Sequence, residues 1–182
     1  MTLDTELIYP RFELISQFAD NPELLPTRAT KNSAGYDFVV AQDTIIPSYT
    51  KVTNLPYTGD TPANFDEMAK FTKSHQFKPT LVPTGVKAYM PEGMFLQISV
   101  RSSCPLKSWL ILANGVGIID ADYYNNPDNE GHIFFQIINL SPADIILHKG
   151  DKIGQGIFLP YFLTYRDNVD TVREGGFGST SK

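Results

Sequence analysis

The chain has 182 residues, of which 42% are hydrophobic, and it carries a formal net charge of -5. This length and composition fit a globular protein with one core of moderate size and exclude a disordered chain. The acidic balance argues against nucleic-acid binding through a broadly basic surface, and no apolar run is long enough to span a bilayer.

Two features bear on the cellular compartment. Cys104 is the one cysteine in the chain, so no intrachain disulfide can form, which fits a reducing environment. The first ten residues, MTLDTELIYP, are acidic and lack the basic and then apolar plan of a signal peptide. We therefore expect a cytoplasmic location, in a bacterial cell or in a host cell if the source is viral.

Most of the chain has the pattern of short β-strands separated by turn residues. In chain order the strand-like runs are FELIS, YDFVV, GVKAY, MFLQISV, GHIFFQIINL, ADIILH and KIGQGIFLPYF, and several of them alternate apolar and polar residues. Pro, Gly, Asn and Asp fill the gaps between the runs. This pattern predicts an all-β sandwich or barrel in a single domain, residues 1–170.

Two segments break the β pattern. PANFDEMAKFTKSHQF is rich in helix formers, begins with Pro62, and spaces its apolar residues close to i, i+3 and i+4. It predicts a short helix over about residues 60–76, inserted between strands. The final segment, REGGFGSTSK, has too many small residues to pack as a strand or helix, so residues 171–182 are predicted to form a mobile arm.

Five stretches carry side chains suited to chemistry. SAGYDF ends a turn with Asp37, VRSSCP places Arg101 and two hydroxyls at a strand end, and NGVGIIDADYY ends an apolar run with Asp120. KGDKIGQGIF sets Gln155 inside an apolar strand, and GGFGS presents Phe177 among glycines. Each stretch alone also has a structural interpretation: a turn aspartate, a solvated strand end, an acidic loop, a satisfied polar residue or a disordered tail.

Taken together, the five stretches indicate a site for a nucleotide phosphate. A guanidinium, hydroxyls, an amide and a glycine-rich loop all donate hydrogen bonds to phosphate oxygens. The acids can hold a divalent cation or activate water, and an aromatic ring on a glycine-rich loop can close over a base. Cys104 has no histidine near it in sequence and is interpreted as a packing residue, and the three histidines show no metal-ligand spacing.

Read in order, these stretches resemble the five motifs of the trimeric dUTPase family (deoxyuridine triphosphate nucleotidohydrolases). The matches are AGYDF, RSS, NGVGIIDADY, KGDKIGQ and GGFGST, from about residue 33 to the C-terminus. The resemblance implies a distorted β-barrel, or jelly-roll-like, subunit and a homotrimer with active sites shared between subunits. It also implies hydrolysis of dUTP to dUMP and pyrophosphate with Mg²⁺, which limits uracil in DNA and supplies dUMP for dTMP synthesis.

The resemblance also implies roles for individual residues. Asp120 matches the carboxylate that activates the attacking water, Arg101 the catalytic arginine, and Asp37 the acid that holds the metal through a water. The implied substrate contacts are Ser102, Ser103 and Gln155 for the phosphates, Asn114, Gly115 and Ile119 for uracil, Tyr123 for the deoxyribose, Arg173 for the γ-phosphate, and Gly176, Phe177, Gly178 and Ser179 in the lid.

The third motif is expected to form a β-hairpin with three tasks. Asn114 reads the base, Asp120 aims the water, and Tyr123 lies flush against the sugar and leaves no room for a 2'-hydroxyl. Asp122 is expected to support the hairpin.

The chain departs from the family pattern at three places. Arg173 stands four residues before Phe177, where the family places its arginine five residues before the aromatic. Residues 125–131 form a longer loop after Tyr123. The insertion at about residues 50–78 carries the predicted helix, which is a candidate surface for a protein partner.

Two rival functions use the same fold. dCTP deaminase is an aminohydrolase that relies on a glutamate a few residues before an Asn, and the matching slot before Asn139 holds Gln136. An amide cannot take up a proton as a carboxylate does, so the sequence favours phosphate hydrolysis. The other rival is a regulatory binding protein on a dUTPase scaffold, which the inserted helix motivates.

Overall fold

The fold is built from short β-strands, in a computed structural model that describes residues 9–50, 64–74, 78–171 and 173. In this part of the chain the strands are β1 Arg11–Leu14, β2 Thr27–Arg28, β3 Tyr36–Val39, β4 Thr44–Ile46, β5 Thr80–Pro83, β6 Val86–Tyr89, β7 Met94–Val100, β8 Leu110–Leu112, β9 Gly117–Ile119, β10 Phe134–Asn139, β11 Ile145–Leu147 and β12 Lys152–Pro160. The helices are α1 Phe65–Ser74 and α2 Ser103–Ser108.

The named strands pair into four antiparallel sheets. The largest has the strand order β2-β3-β12-β7-β9, and a smaller sheet has the order β5-β10-β8. Strands β1 and β6 form one two-stranded sheet, and β11 and β4 form another. The all-β class is therefore confirmed. No sheet of the described residues closes on itself, so a closed barrel is not what holds these strands together.

The sheets meet in one main core because their side chains alternate between two faces. Along β10 the residues Phe135, Ile137 and Asn139 are buried while their neighbours are partly exposed, as a period of two requires. Phe135 packs edge-on against Phe38 of the five-stranded sheet, with ring centroids 5.6 Å apart. A Cβ on Gly154 would lie 2.0 Å from the Phe135 ring, so this glycine lets β12 lie directly on β10.

The strand predictions from longer runs are confirmed. The seven predicted runs correspond to β1, β3, β6, β7, β10, β11 and β12, and MFLQISV coincides with β7. Strands β2, β4, β5 and β8, of two to four residues, were not among the predicted runs.

The predicted hairpin over residues 114–124 is wrong. A tight turn with Gly115 at φ 73° does join β8 to β9, but β8 pairs with β10 and β9 pairs with β7. The segment is therefore an arch between two sheets. Gly117 permits this course, because a Cβ there would lie 2.5 Å from Cγ1 of Ile98 on β7.

Helix α1 confirms the predicted helix within the insertion, and the predicted flanks at 60–63 and 75–76 lie outside the described residues. Met68 and Ala69 are exposed on this helix. Its use as a partner surface, and the division into residues 1–170 and an arm at 171–182, stay predictions. No helix in the described ranges is long and apolar enough to cross a membrane.

Candidate active site

A buried carboxylate with two cationic partners forms the first part of the site. Asp37, on β3, is 9% exposed. Its Oδ2 accepts a hydrogen bond from Nζ of Lys152 at 2.9 Å, and its Oδ1 lies 3.4 Å from Nε of Arg101. The carboxylate therefore fixes the positions of both cations, which are themselves partly exposed and able to meet an anionic ligand.

Strand pairing brings the predicted phosphate contact Gln155 next to this group. On β12, Gln155 stands opposite Asp37 of β3 and opposite Ser99 of β7. A Cβ on Gly35 would lie 2.7 Å from Oε1 of Gln155, so the Gln155 side chain lies directly over the Gly35 backbone. Gly35 is thus required for the Gln155 side chain to take this place.

The hydroxyls of the RSS stretch lie between the end of β7 and the first residue of helix α2. Ser102 is the exposed N-cap of this helix and Ser103 is its first residue. Cys104 is buried, and its Sγ donates a hydrogen bond to the carbonyl of Ile153 at 3.2 Å. Burial raises the pKa of the Cys104 thiol. The interpretation of Cys104 as a packing residue is confirmed, and it holds the RSS turn against β12.

The third motif places an exposed carboxylate at the end of a buried strand. Strand β9 ends at Ile119, which is buried, and Asp120 follows as the N-cap of a 3-10 turn over Ala121–Tyr123. The Asp120 side chain is 52% exposed. Asn114 and Gly115 are exposed in the turn before β9. The predicted base-reading and water-activating residues therefore flank the same short strand.

Tyr123 is 5% exposed and is held through its hydroxyl. The hydroxyl donates to the backbone carbonyl of His132 at 3.1 Å and accepts from Nδ2 of Asn129 at 2.7 Å. Burial raises the pKa of this phenol. Sequence reasoning did not assign Asn129 or the other residues of this loop.

Arg173 forms ion pairs with the two aspartates of the third motif. Its Nε donates to Oδ1 of Asp122 at 2.9 Å, and its Nη2 donates to Oδ2 of Asp120. The guanidinium carbon also lies 5.7 Å from the centre of the Tyr123 ring. In the described chain Arg173 therefore occupies one oxygen of Asp120, a pairing that the sequence did not predict. Its contact with a γ-phosphate stays a prediction.

The site residues of one chain form two groups. One group is Asp37, Arg101 and Lys152 on the central strands, and the other is Asp120, Asp122 and Arg173 after β9. Within the described ranges no ion pair or hydrogen bond joins a side chain of one group to a side chain of the other. The lid residues Gly176, Phe177, Gly178 and Ser179 lie outside the described residues.

Comparisons with known proteins agree with the motif assignment. The sequence model of the dUTPase family matches residues 63–181. The deoxyuridine 5'-triphosphate nucleotidohydrolase of Lactococcus lactis subsp. lactis (strain IL1403) is 37% identical over 172 residues, which are 93% of this chain and 95% of that protein. The chain belongs to the dUTPase family. The resemblance drawn from the five motifs is confirmed.

Solved structures of other dUTPases share the fold. The crystal structure of dUTPase from Streptococcus mutans is 41% identical to this chain, has a TM-score of 0.67, and covers 85% of this chain and 98% of its own. A dUTPase from phage phi11 of S. aureus is 18% identical with a TM-score of 0.57, and it covers 90% of this chain and 97% of its own. That phage structure is described as revealing the coordination of a structural Mg(II) ion. At 18% identity the likeness shows the fold alone.

The oxygen ligands near Asp37 fit Mg²⁺ only if the substrate supplies further ligands. Mg²⁺ prefers oxygen ligands, keeps several waters, and is bound in phosphate sites by one or two carboxylates together with the substrate. Within the described ranges no group of three or more His, Cys, Asp or Glu side chains is placed to hold a metal. Asp37 is a single carboxylate that already pairs with Arg101 and Lys152. This donor set fits an ion carried by a triphosphate and reached through water.

Proposed function

We infer that this protein is a dUTP diphosphatase that hydrolyses dUTP to dUMP and pyrophosphate. The observation that carries the inference is the third motif, where exposed Asp120 and buried Tyr123 stand at the two ends of one 3-10 turn. Asp120 takes the proton of a water that attacks the α-phosphorus, and pyrophosphate leaves. Tyr123 packs against the deoxyribose, and its ring sterically excludes a 2'-hydroxyl.

The triphosphate binds at the cationic group. Arg101 and Lys152 are already oriented by Asp37, so little reorganisation is needed when the phosphates arrive. Ser102, Ser103 and Gln155 donate further hydrogen bonds to phosphate oxygens. Asp37 is the residue that would hold Mg²⁺ through a water, and the ion would supply positive charge against the phosphates.

The base is read at the start of the arch. Asn114 offers an amide donor and acceptor for the alternating edge of uracil, and the exposed Gly115 lies beside it with its N–H donated to the carbonyl of Leu112 at 3.0 Å. Ile119 closes the apolar side of this site. The lid residues Gly176, Phe177, Gly178 and Ser179 cover the base and phosphates, and Arg173 reaches the γ-phosphate once it leaves Asp120.

The complete site forms between subunits of a homotrimer. Ile119, just before Asp120, pairs with Leu96 near the start of β7, whereas Arg101 follows the other end of β7, and this separation within one chain favours the arrangement. Val116 and Ile118, beside Asp120, expose 44% and 50% of their surface in the single chain. Large apolar side chains next to a catalytic carboxylate are suited to burial by a neighbouring subunit.

Subunit sharing is tested by mixing two inactive variants. Asp120→Asn and Arg101→Ala, each inactive alone, should regain a fraction of wild-type turnover when they are co-expressed and purified as mixed trimers through two tags. Light scattering confirms the trimer mass before the assay. Mixed trimers with no more turnover than either parent contradict the shared site.

The activity is tested with a nucleotide panel. Purified protein with Mg²⁺ should release pyrophosphate from dUTP and much less from UTP, dTTP or dCTP, and equal rates on all four would overturn the inference. Asp120→Asn should reduce kcat by several orders of magnitude. Asp122→Asn is the matched control, because Asp122 has the same side chain, similar exposure and the same partner Arg173.

Deamination of dCTP is the alternative with least support. Gln136 lies on β10 opposite Leu81, in the slot where the deaminase resemblance requires a glutamate. Its amide has no basic lone pair to accept a proton from water. Ammonia release from dCTP by the purified protein would reverse this choice. A cytoplasmic location, expected from the sequence, is part of the proposal.

A further inference from the structure

The loop that follows Tyr123 is ordered by its own polar residues. Asn126 is 3% exposed, and its Oδ1 accepts from the backbone N–H of Asp128 at 3.0 Å. The backbone N–H of Glu130 donates to the carbonyl of Asn126 at 2.7 Å, and that of His132 donates to Asn129 at 3.0 Å. Residues 125–131, which depart from the family pattern, therefore form a compact loop with internal hydrogen bonds.

This loop is also fastened to the N-terminal part of the chain. The Glu130 carboxylate accepts from the backbone N–H of Ser16 at 3.0 Å and from its hydroxyl. Tyr124 donates its hydroxyl to Glu13, on β1, at 2.7 Å. Gly131 has φ 81°, and a Cβ there would lie 2.4 Å from the carbonyl oxygen of Tyr123. Both ends of the loop are thus fixed relative to Tyr123.

One side chain of the loop reaches the Tyr123 hydroxyl. Nδ2 of Asn129 donates to that hydroxyl at 2.7 Å, and the hydroxyl donates its own hydrogen bond to the carbonyl of His132. Oδ1 of Asn129 accepts from the backbone N–H of Gly131 at 3.0 Å, which fixes the orientation of the amide. The phenol oxygen is therefore held from both sides, and the ring has little freedom to tilt.

We propose that Asn129 is a positioning residue that sets the selectivity between deoxyribose and ribose by locking the ring of Tyr123. The proposal rests on the proposed function, in which Tyr123 faces the sugar. A ring excludes a 2'-hydroxyl only if it cannot move aside, because a displacement of about one ångström relieves the clash. Asn129 supplies the restraint at the end of the ring that is farthest from the backbone.

The test compares kcat/KM for dUTP and for UTP. A neutral hydrogen bond contributes about 1 kcal/mol, or about fivefold. Asn129→Ala should therefore lower the ratio of kcat/KM for dUTP to kcat/KM for UTP by about fivefold, mainly through better use of UTP. Asp128→Ala is the matched control, because it truncates an exposed side chain of the same size at the adjacent position and should keep the wild-type ratio.

A double-mutant cycle separates a positioning role from a general loss of structure. Tyr123→Phe keeps the ring and removes the hydroxyl on which Asn129 acts, together with its bond to the His132 carbonyl, so it should lower the ratio at least as much as Asn129→Ala. The double variant should be no less selective than Tyr123→Phe alone, because Tyr123→Phe already removes the contact that Asn129 makes. An unchanged ratio in either single variant, or equal losses with dUTP and UTP, overturns the proposal.

The same measurements distinguish this proposal from the proposed function. If the wild-type protein does not hydrolyse dUTP, the proposed function fails before any variant is made. If it hydrolyses dUTP selectively and Asn129→Ala retains that selectivity, only the role of Asn129 fails. Should Asn129→Ala not fold, Tyr123→Phe still tests whether the hydroxyl contact controls the ratio.

Discussion

Lowering the pH should destabilise the protein through the buried His132. The imidazole is 6% exposed and packs against Phe134, with ring centroids 4.0 Å apart. Its Nε2 accepts the backbone N–H of Gly85 at 2.8 Å, which requires an unprotonated nitrogen. Burial lowers the pKa of His132 from 6.5 to about 4, against a smaller opposing effect of the Glu130 carboxylate.

The sign of the effect follows from the lowered pKa. Between pH 6.5 and pH 4 the unfolded chain binds a proton at this histidine and the folded chain does not, so acid favours unfolding. Above pH 6.5 both states are neutral and the contribution vanishes. At pH 5, about 1.5 units below the ordinary pKa and at about 1.36 kcal/mol per unit, the loss is about 2 kcal/mol. Near pH 4 it approaches about 3 kcal/mol.

Urea unfolding at pH 7 and pH 5, at one protein concentration, measures this loss. His132→Gln keeps an acceptor for the Gly85 N–H but does not titrate, so its free energy of unfolding should fall by about 2 kcal/mol less than that of the wild type. His148→Gln makes the same substitution at a histidine whose side chain is 67% exposed, for comparison with the buried His132. Equal pH dependence in His132→Gln and the wild type would refute the reasoning.

Three further changes test the packing, the phosphate site and the arm. Gly154→Ala should cost about 2 kcal/mol in urea unfolding, because its Cβ would lie 2.0 Å from the Phe135 ring, and an unchanged midpoint contradicts this contact. Lys152→Met should raise KM for dUTP about tenfold with a smaller change in kcat. Lys152→Arg keeps a cation beside Asp37, so its KM should lie between those of the wild type and Lys152→Met. Removal of residues 175–182 should slow dUTP turnover greatly if they form the lid, and an unchanged rate removes that role.

The sequence was sufficient to predict the strands in which apolar and polar residues alternate over several positions, because this alternation is a local property of the chain. Strand β10 shows this, since every second residue of FFQIIN is buried. Pairing partners are not local. The NGVG turn has the local chemistry of a hairpin, yet β8 pairs with β10 and β9 pairs with β7, in two different sheets.

The contacts between site residues are likewise not local in the sequence. Asp37, Asp120 and Tyr123 stood out because each belongs to a recognisable motif. Lys152 lies in such a motif too, but its importance comes from a contact with Asp37 across 115 residues, which no local pattern shows. Asn129 lies in the loop that departs from the family pattern, so neither resemblance nor periodicity assigned it a task.

The 3-10 turn after β9 joins two residues of the proposed function, the general base Asp120 and the sugar contact Tyr123. Asp120 must be exposed to reach water, and an exposed carboxylate at a strand end is ordinarily free to move. Here the backbone N–H of Tyr123 donates to the carbonyl of Asp120 at 3.1 Å, so the 3-10 turn ties the exposed acid to a buried ring. That ring is held by His132 and Asn129. In the proposed function, the contacts that hold the Tyr123 ring against the sugar therefore also limit the movement of the general base Asp120, because a single turn of backbone sets the distance between the two residues.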